Sequence, residues 1–333
     1  MAADHKQLEQ RSRLARIRAH LDIRTPIDNI RFGDDVAAAC RQQIDSLLAG
    51  AQPGCGEDVL DHLARQLHVH FEEVHADPDL VRLEQKYLHE KREIGFGQLA
   101  KQFDDPHIDA LLFERERAAA DDPDKWVAVL NLRDTAARGY WSRSHELTHR
   151  IAEPPQRNLR FYRHQNDRAN PLESMIDKVA ADIAFYRGLF EPVVNTLCSE
   201  PLTWELVDTI RSLYAASCSR LATAHAALRY WPQPAYLIAA QLAGRKRRPA
   251  TDRALRIEIQ GFSSNAASEL FFIPNMRVPP SSPISHVYQS GEAISAYEQL
   301  GQWSTSDGTR LRDVQVLTSA FRYRDRVFAL ISV

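Results

Sequence analysis

Ser142-Arg-Ser-His-Glu-Leu-Thr-His149, with Pro171-Leu-Glu-Ser-Met-Ile-Asp177 a short way downstream, is the stretch from which the rest of the chain can be read. On a helix, side chains at i and i+4 stand one above the other, so His145 and His149 bring both imidazoles to one point. This H-E-x-x-H spacing supplies two nitrogen ligands for a single metal ion. A catalytic zinc takes three nitrogen or oxygen ligands and leaves its fourth position to water, whose pKa it lowers to about 7. Glu146 follows the first histidine, points off the ligand face and reaches the water position, which makes it the candidate general base. The third ligand must come from another segment. Glu173 is the candidate, in the first turn of a strongly periodic helical stretch that Asn170 is placed to cap. The pentapeptide also arises by accident in unrelated chains. A second helix with a well-placed carboxylate is what makes it informative.

The chain has 333 residues, 44% of them apolar, and a formal net charge of −2. That is material for two or three domains with real cores, and it excludes a surface built throughout for nucleic acid. No apolar run reaches the roughly 20 residues of a membrane span, and the arginine-rich N-terminus lacks the apolar core of a signal peptide. The expected location is the cytoplasm. Cys40, Cys55, Cys198 and Cys218 are far apart and form no C-x-x-C pair, which argues for reduced thiols rather than a disulfide framework or a thiolate zinc site.

Upstream of the motif, residues 1–50 read as helical, with Leu14, Ile17, Leu21, Val36, Cys40, Ile44 and Leu48 at helical spacing. Arg11, Arg13, Arg16 and Arg18 read as a solvated face. The turn-rich Ala49-Gly-Ala-Gln-Pro-Gly-Cys-Gly56 marks a boundary. A helix from Glu57 carries Val59, Leu60, Leu63 and Ala64 on one face, and Leu67 to Val74 alternates as a strand. His62, His68, His70 and His75 split between those two elements and read as surface or satisfied histidines. Residues 80–120 read as helical and charged. Trp126-Val-Ala-Val-Leu-Asn-Leu132 has strand character, and Val127 to Leu132 is a candidate sheet edge on which an extended peptide could be laid; an ordinary internal strand is equally consistent.

Downstream, Leu202 to Ala243 reads as a run of helices, and Gly244-Arg-Lys-Arg-Arg-Pro249 as an exposed basic linker. From residue 252 the pattern becomes strand-like. Leu255 to Ile259 and Leu270 to Ile273 are expected strands, Val314 to Phe321 pairs with Val327 to Val333 across a turn near Arg324-Asp325, and a helix spans Pro283 to Glu298. Arg310, Arg312, Arg322, Arg324 and Arg326, with Trp303 and Tyr323 nearby, suit single-stranded nucleic acid; a solvated hairpin tip explains Arg322 to Arg326 equally well.

The run Asn131-Leu-Arg-Asp-Thr-Ala-Ala-Arg-Gly-Tyr-Trp-Ser-Arg-Ser-His-Glu-Leu-Thr-His149 resembles the ImmA/IrrE metallopeptidases, in which a strand and a short arginine-containing loop lead into the H-E-x-x-H helix. Glu173, Ile176, Asp177 and Ala180 fall where that family has a glutamate, a small residue, an Asn or Asp, and an alanine. Isoleucine departs from the small residue, and Phe185-Tyr186 stands where many members have Met-Pro. The likeness covers about residues 57–190. It implies a Zn2+ ion held by His145, His149 and Glu173, with Glu146 as catalytic base. It also implies cleavage of a helix-turn-helix transcriptional repressor after a stress, DNA-damage or phage signal, for which the arginines and aromatics near the C-terminus make single-stranded nucleic acid a candidate activator. The expected class is α+β: an N-terminal helical segment (1–50), a mainly helical zincin-like metallopeptidase domain with a small sheet (51–200), a helical linker (201–250) and a GAF-like sensor domain (251–333). Separately, Pro53-Gly-Cys-Gly56 resembles the inhibitory loop of matrix metalloproteinases, which implies a regulatory Cys55 thiolate in the open zinc position. The competing reading is a non-catalytic regulator with a vestigial peptidase fold that binds DNA or a repressor.

Overall fold

The computed structural model describes residues 2–105, 108–133, 138–154, 161–164, 171–244, 253–266, 272–305 and 308–333. Asn170, the basic run from Arg245 to Arg248, and Leu270-Phe271 lie outside them. The class is α+β, and the chain divides into two compact units, Met1–Arg187 and Gly188–Val333. Among the described residues no helix is long and apolar enough to cross a membrane.

The first unit contains α1 (Ala2–His20), α2 (Phe32–Leu47), α3 (Gly56–Gln66), β1 (Val69–Val74), α4 (Asp77–Glu84), α5 (Leu99–Phe103), β2 (Ile108–Glu114), β3 (Trp126–Asn131), α6 (Gly139–Ala152), β4 (Phe161–His164) and α7 (Pro171–Ala184). The strands form one sheet in the order β1-β3-β2-β4, with β1 and β3 parallel and the other pairs antiparallel. β3 is therefore internal, paired on both sides, and Val127 to Leu132 is not the free edge that a substrate strand would need. The outermost strands are β1 and β4. The strand that covers β3 is β2, in a stretch expected to be helical. Its sequence, Ile108-Asp-Ala-Leu-Leu-Phe-Glu114, is buried at every position but the last, so it shows no polar alternation.

α6 runs through the middle of this unit, packed on α7, α2, α3 and β3. Nearly all its residues are buried, including polar ones that a surface helix would expose. The hydroxyls manage this by bonding back to their own helix: Ser144 Oγ donates to the Tyr140 carbonyl at 3.0 Å and Thr148 Oγ1 to the Ser144 carbonyl at 2.9 Å. α6 and α7 pack on each other, and Leu147 and Ile151 of the first and Leu172, Ile176, Val179 and Ala180 of the second are buried. The two helices that carry the motif residues are thus fixed against each other by an apolar seam.

The second unit contains α8 (Arg187–Leu197), α9 (Trp204–Tyr214), α10 (Arg220–Leu228), β5 (Ala235–Gly244), β6 (Arg253–Phe262), α11 (Pro283–Ser290), β7 (Ile294–Gln299), β8 (Gln315–Tyr323) and β9 (Arg326–Ser332). Its antiparallel sheet has the order β6-β5-β9-β8-β7. The expected hairpin of β8 and β9 is present, with Arg324 at φ 58° in the turn. One face, with Tyr236, Ile238, Ala240, Val327, Ala329 and Ile331 alternating along β5 and β9, packs on Ile284 and Val287 of α11 and on Trp303. Against Phe321 of β8, Trp204 of α9 packs edge-on at 4.6 Å and the Arg220 guanidinium lies over the ring at 4.7 Å.

Two expectations fail here for local reasons. The helical run from Leu202 ends at Leu228, and Ala235 to Gly244 is the internal strand β5; its first six residues are all buried, so its period of two is invisible. The helix from Pro283 stops at Ser290 rather than Glu298, because Gly291 takes φ 79° as a left-handed cap and the chain turns into β7.

Candidate metal centre

His145 and His149 project from α6 towards Glu173 in the first turn of α7. The two Nε2 atoms are 3.0 Å apart, and Glu173 Oε2 lies 3.3 Å from the first and 3.6 Å from the second. All three residues are buried. Among the described residues they form the one group of three or more His, Cys, Asp or Glu able to share an ion. A tetrahedral ion bound at about 2.0–2.2 Å has ligand–ligand edges near 3.3–3.6 Å. Both Glu173 edges fall in that range, and the edge between the imidazoles, at 3.0 Å, is a little shorter.

Each histidine is held from behind. His145 Nδ1 donates to Asp177 Oδ1 at 3.0 Å, one helical turn beyond Glu173 on α7, and His149 Nδ1 donates to Glu153 Oε1 at 2.8 Å. A carboxylate can only accept, so each Nδ1 carries a hydrogen and each ring turns its Nε2 to the shared point. Glu153 is buried at the C-terminal end of α6, and its carboxylate is met by the Arg13 guanidinium, at 2.7 Å from Nη2 and 3.2 Å from Nε.

The electrostatics follow. Burial works against a charged His149, but the Glu173 carboxylate and the Glu153 hydrogen bond prevail and push it up to about 10. Burial likewise opposes ionisation of Glu173; the facing charge of His149 and the hydrogen bonds from His145 and His149 hold its carboxyl far below the usual range. Glu153 is also lowered, its burial outweighed by His149 and Arg13. Carboxylates stay ionised in a buried place only where cations face them. This pocket therefore favours a positive charge at its centre, a proton or a metal ion. Glu146 is fully buried on the same helix, directly after His145.

Of the other sequence candidates, Cys55 is not among the grouped donors. It is the N-cap residue of α3, where its amide and that of Gly54 bond to Asp58, and burial pushes its thiol up, away from the thiolate a zinc ligand needs. The inhibitory arrangement inferred from Pro53-Gly-Cys-Gly56 is therefore not present in this structure. Arg138 pairs with Asp109 at 3.2 Å, and Tyr140 donates to the Ala184 carbonyl at 2.7 Å; both bonds brace helix ends. His62 bonds to the Leu47 carbonyl, while His70 and His75 face Glu72 and Glu73. In the second unit Arg322 donates to the Tyr288 carbonyl at 2.9 Å and lies over that ring, and Arg324 lies over Tyr323.

Glu153 and Arg13 were missed. Glu153 was within reach, since it stands four residues after His149 and so on the same helical face. Arg13, 140 residues away from Glu153, gave no local signal.

No protein-family model matches the chain, and no curated protein matches it. Among solved structures it is similar to a Mycobacterium tuberculosis transcriptional regulator, at 11% identity and a TM-score of 0.46, over 96% of this chain and 81% of that one.

Proposed function

We propose that the chain is a zinc-dependent endopeptidase, acting through His145, His149, Glu173 and Glu146. The observation that supports this is the donor triangle with both imidazoles tied back by carboxylates, beside a fully buried glutamate. Two nitrogens and one oxygen, with no thiolate, suit zinc with an open fourth position. When bound, the ion polarises the scissile carbonyl and acidifies a water. His145, His149 and Glu173 hold the ion at a fixed point between α6 and α7. Glu146 takes a proton from the attacking water and delivers it to the departing amine. An extended substrate would add to an outer edge of the sheet, at β1 or β4, because β3 is closed on both sides.

The protein substrate we propose is a helix-turn-helix repressor, as the sequence resemblance implies, with single-stranded nucleic acid as activating signal, as the arginines and aromatics near the C-terminus suggest. Incubating the zinc-loaded chain with a helix-turn-helix repressor from the same genome tests the reading. Cleavage by wild type, absent with Glu146→Gln although the metal is retained, is the expected result. An intact repressor with both proteins, with and without single-stranded DNA, would contradict it.

A further inference from the structure

α1 lies outside the segment that carries the metal donors, and its arginines read in sequence as a solvated face. Arg13 is instead drawn inward. It forks onto both oxygens of Glu153, a carboxylate whose side chain is 1% exposed, while Glu153 Oε1 also accepts from His149 Nδ1. The third guanidinium nitrogen of Arg13, Nη1, lies 3.9 Å from Glu173 Oε1, and the other oxygen of that carboxylate faces the two imidazoles. One guanidinium therefore meets the carboxylate that orients one donor and the outer oxygen of another. The C-terminal end of α1 is fastened at the same place: Ile17 is fully buried, and His20 Nε2 is 3.2 Å from the carbonyl of Ile151 in the last turn of α6.

We propose that Arg13 is a positioning residue of the metal centre: it fixes Glu153, and through it the His149 ring, in the metal-binding orientation, which makes α1 a working part of the site. The inference rests on reading the donor triangle as a metal site. Two roles for the guanidinium predict opposite outcomes. If Arg13 acted as a charge alone, it would repel a dication, and its removal would tighten metal binding. If it orients Glu153, its removal frees a buried carboxylate to turn away from His149, and binding weakens. The geometry favours the second, because the two short contacts fall on Glu153 and engage both of its oxygens in a planar fork. Lysine preserves the charge and cannot reproduce the fork.

The test is a zinc and cobalt competition titration against a chelator, using the full-length protein. The variants are Arg13→Ala, Arg13→Lys, Glu153→Gln, the Arg13→Ala/Glu153→Gln double variant and Arg11→Ala. Arg11 is on the same helix but in an exposed bridge to Asp28, so Arg11→Ala is expected to match wild type. Both Arg13 variants are expected to bind about tenfold more weakly, as is usual when an outer-shell partner is lost, with a perturbed cobalt absorption band. Arg13→Ala should add nothing once Glu153 is already glutamine. Should Arg13→Ala not fold, judged by the melt of the metal-free protein, Arg13→Lys carries the comparison. Zinc affinity in the Arg13 variants equal to or tighter than wild type, or a full additive loss in the double variant, overturns the inference. A wild-type protein that binds neither ion overturns the metal reading itself and this inference with it.

Discussion

Asp177→Ala and Glu153→Ala should weaken metal binding unequally, although each removes the acceptor behind one histidine. Asp177 has a side chain 47% exposed, so water can take its place as acceptor for His145 Nδ1. The loss is then that of one solvent-competed hydrogen bond, about 0.5–1.5 kcal/mol, or roughly two- to tenfold in affinity. Glu153 is 1% exposed, like His149. No water replaces it, and a buried imidazole N–H without an acceptor costs about 1–3 kcal/mol, before the unpaired Arg13 is counted. The expected loss is at least ten- and up to about a hundredfold. Competition against a chromophoric zinc chelator at neutral pH reads both values, and thermal melts of the metal-free variants check that each is folded. Equal losses, or a larger loss for Asp177, would refute the reasoning that burial of the acceptor sets the cost.

Two further outcomes concern pH. Burial raises the Glu298 carboxyl above its ordinary range, partly offset by donors from Thr318, Trp303 and Ser282. A carboxyl raised in the folded state stabilises it fully below the unfolded pKa, and that stability is lost as pH rises through the folded value. Melting of the second unit should therefore fall with rising pH above the ordinary carboxylate range, and Glu298→Gln should flatten that fall. Glu72 behaves oppositely: burial works against its charge, but bonds from His70, Lys86 and Tyr87 hold it at about 2 against an ordinary 4.5. Its stabilisation is present above about 4.5 and lost as pH falls towards 2, so Glu72→Gln should blunt acid unfolding of the first unit in that window.

The donor set was legible because helical spacing is rigid: His145 and His149 at i and i+4 must share a face, and Glu173 opens an amphipathic helix that can only pack by its apolar side. What lies behind the donors was legible in part. Asp177 stands one helical turn after Glu173, and Glu153 follows from the same i+4 rule, whereas Arg13 reaches the site only through the packing of α1. The sheet was harder to read. β2 and β5 are buried along most of their lengths, and a strand without a solvent face has no alternation to show. With β2 hidden, β3 reads equally well as an edge or as an internal strand, and the sheet order decides for the internal one. Gly291 shows the reverse case, a lone glycine whose positive φ ends a helix where periodicity alone would continue it.

The most direct measurement of the central claim is the metal content of the purified native protein and two variants by elemental analysis. One zinc per chain in wild type, absent in His145→Ala and retained in Glu146→Gln, is the predicted result. A correctly folded native protein that neither carries nor takes up zinc would contradict it.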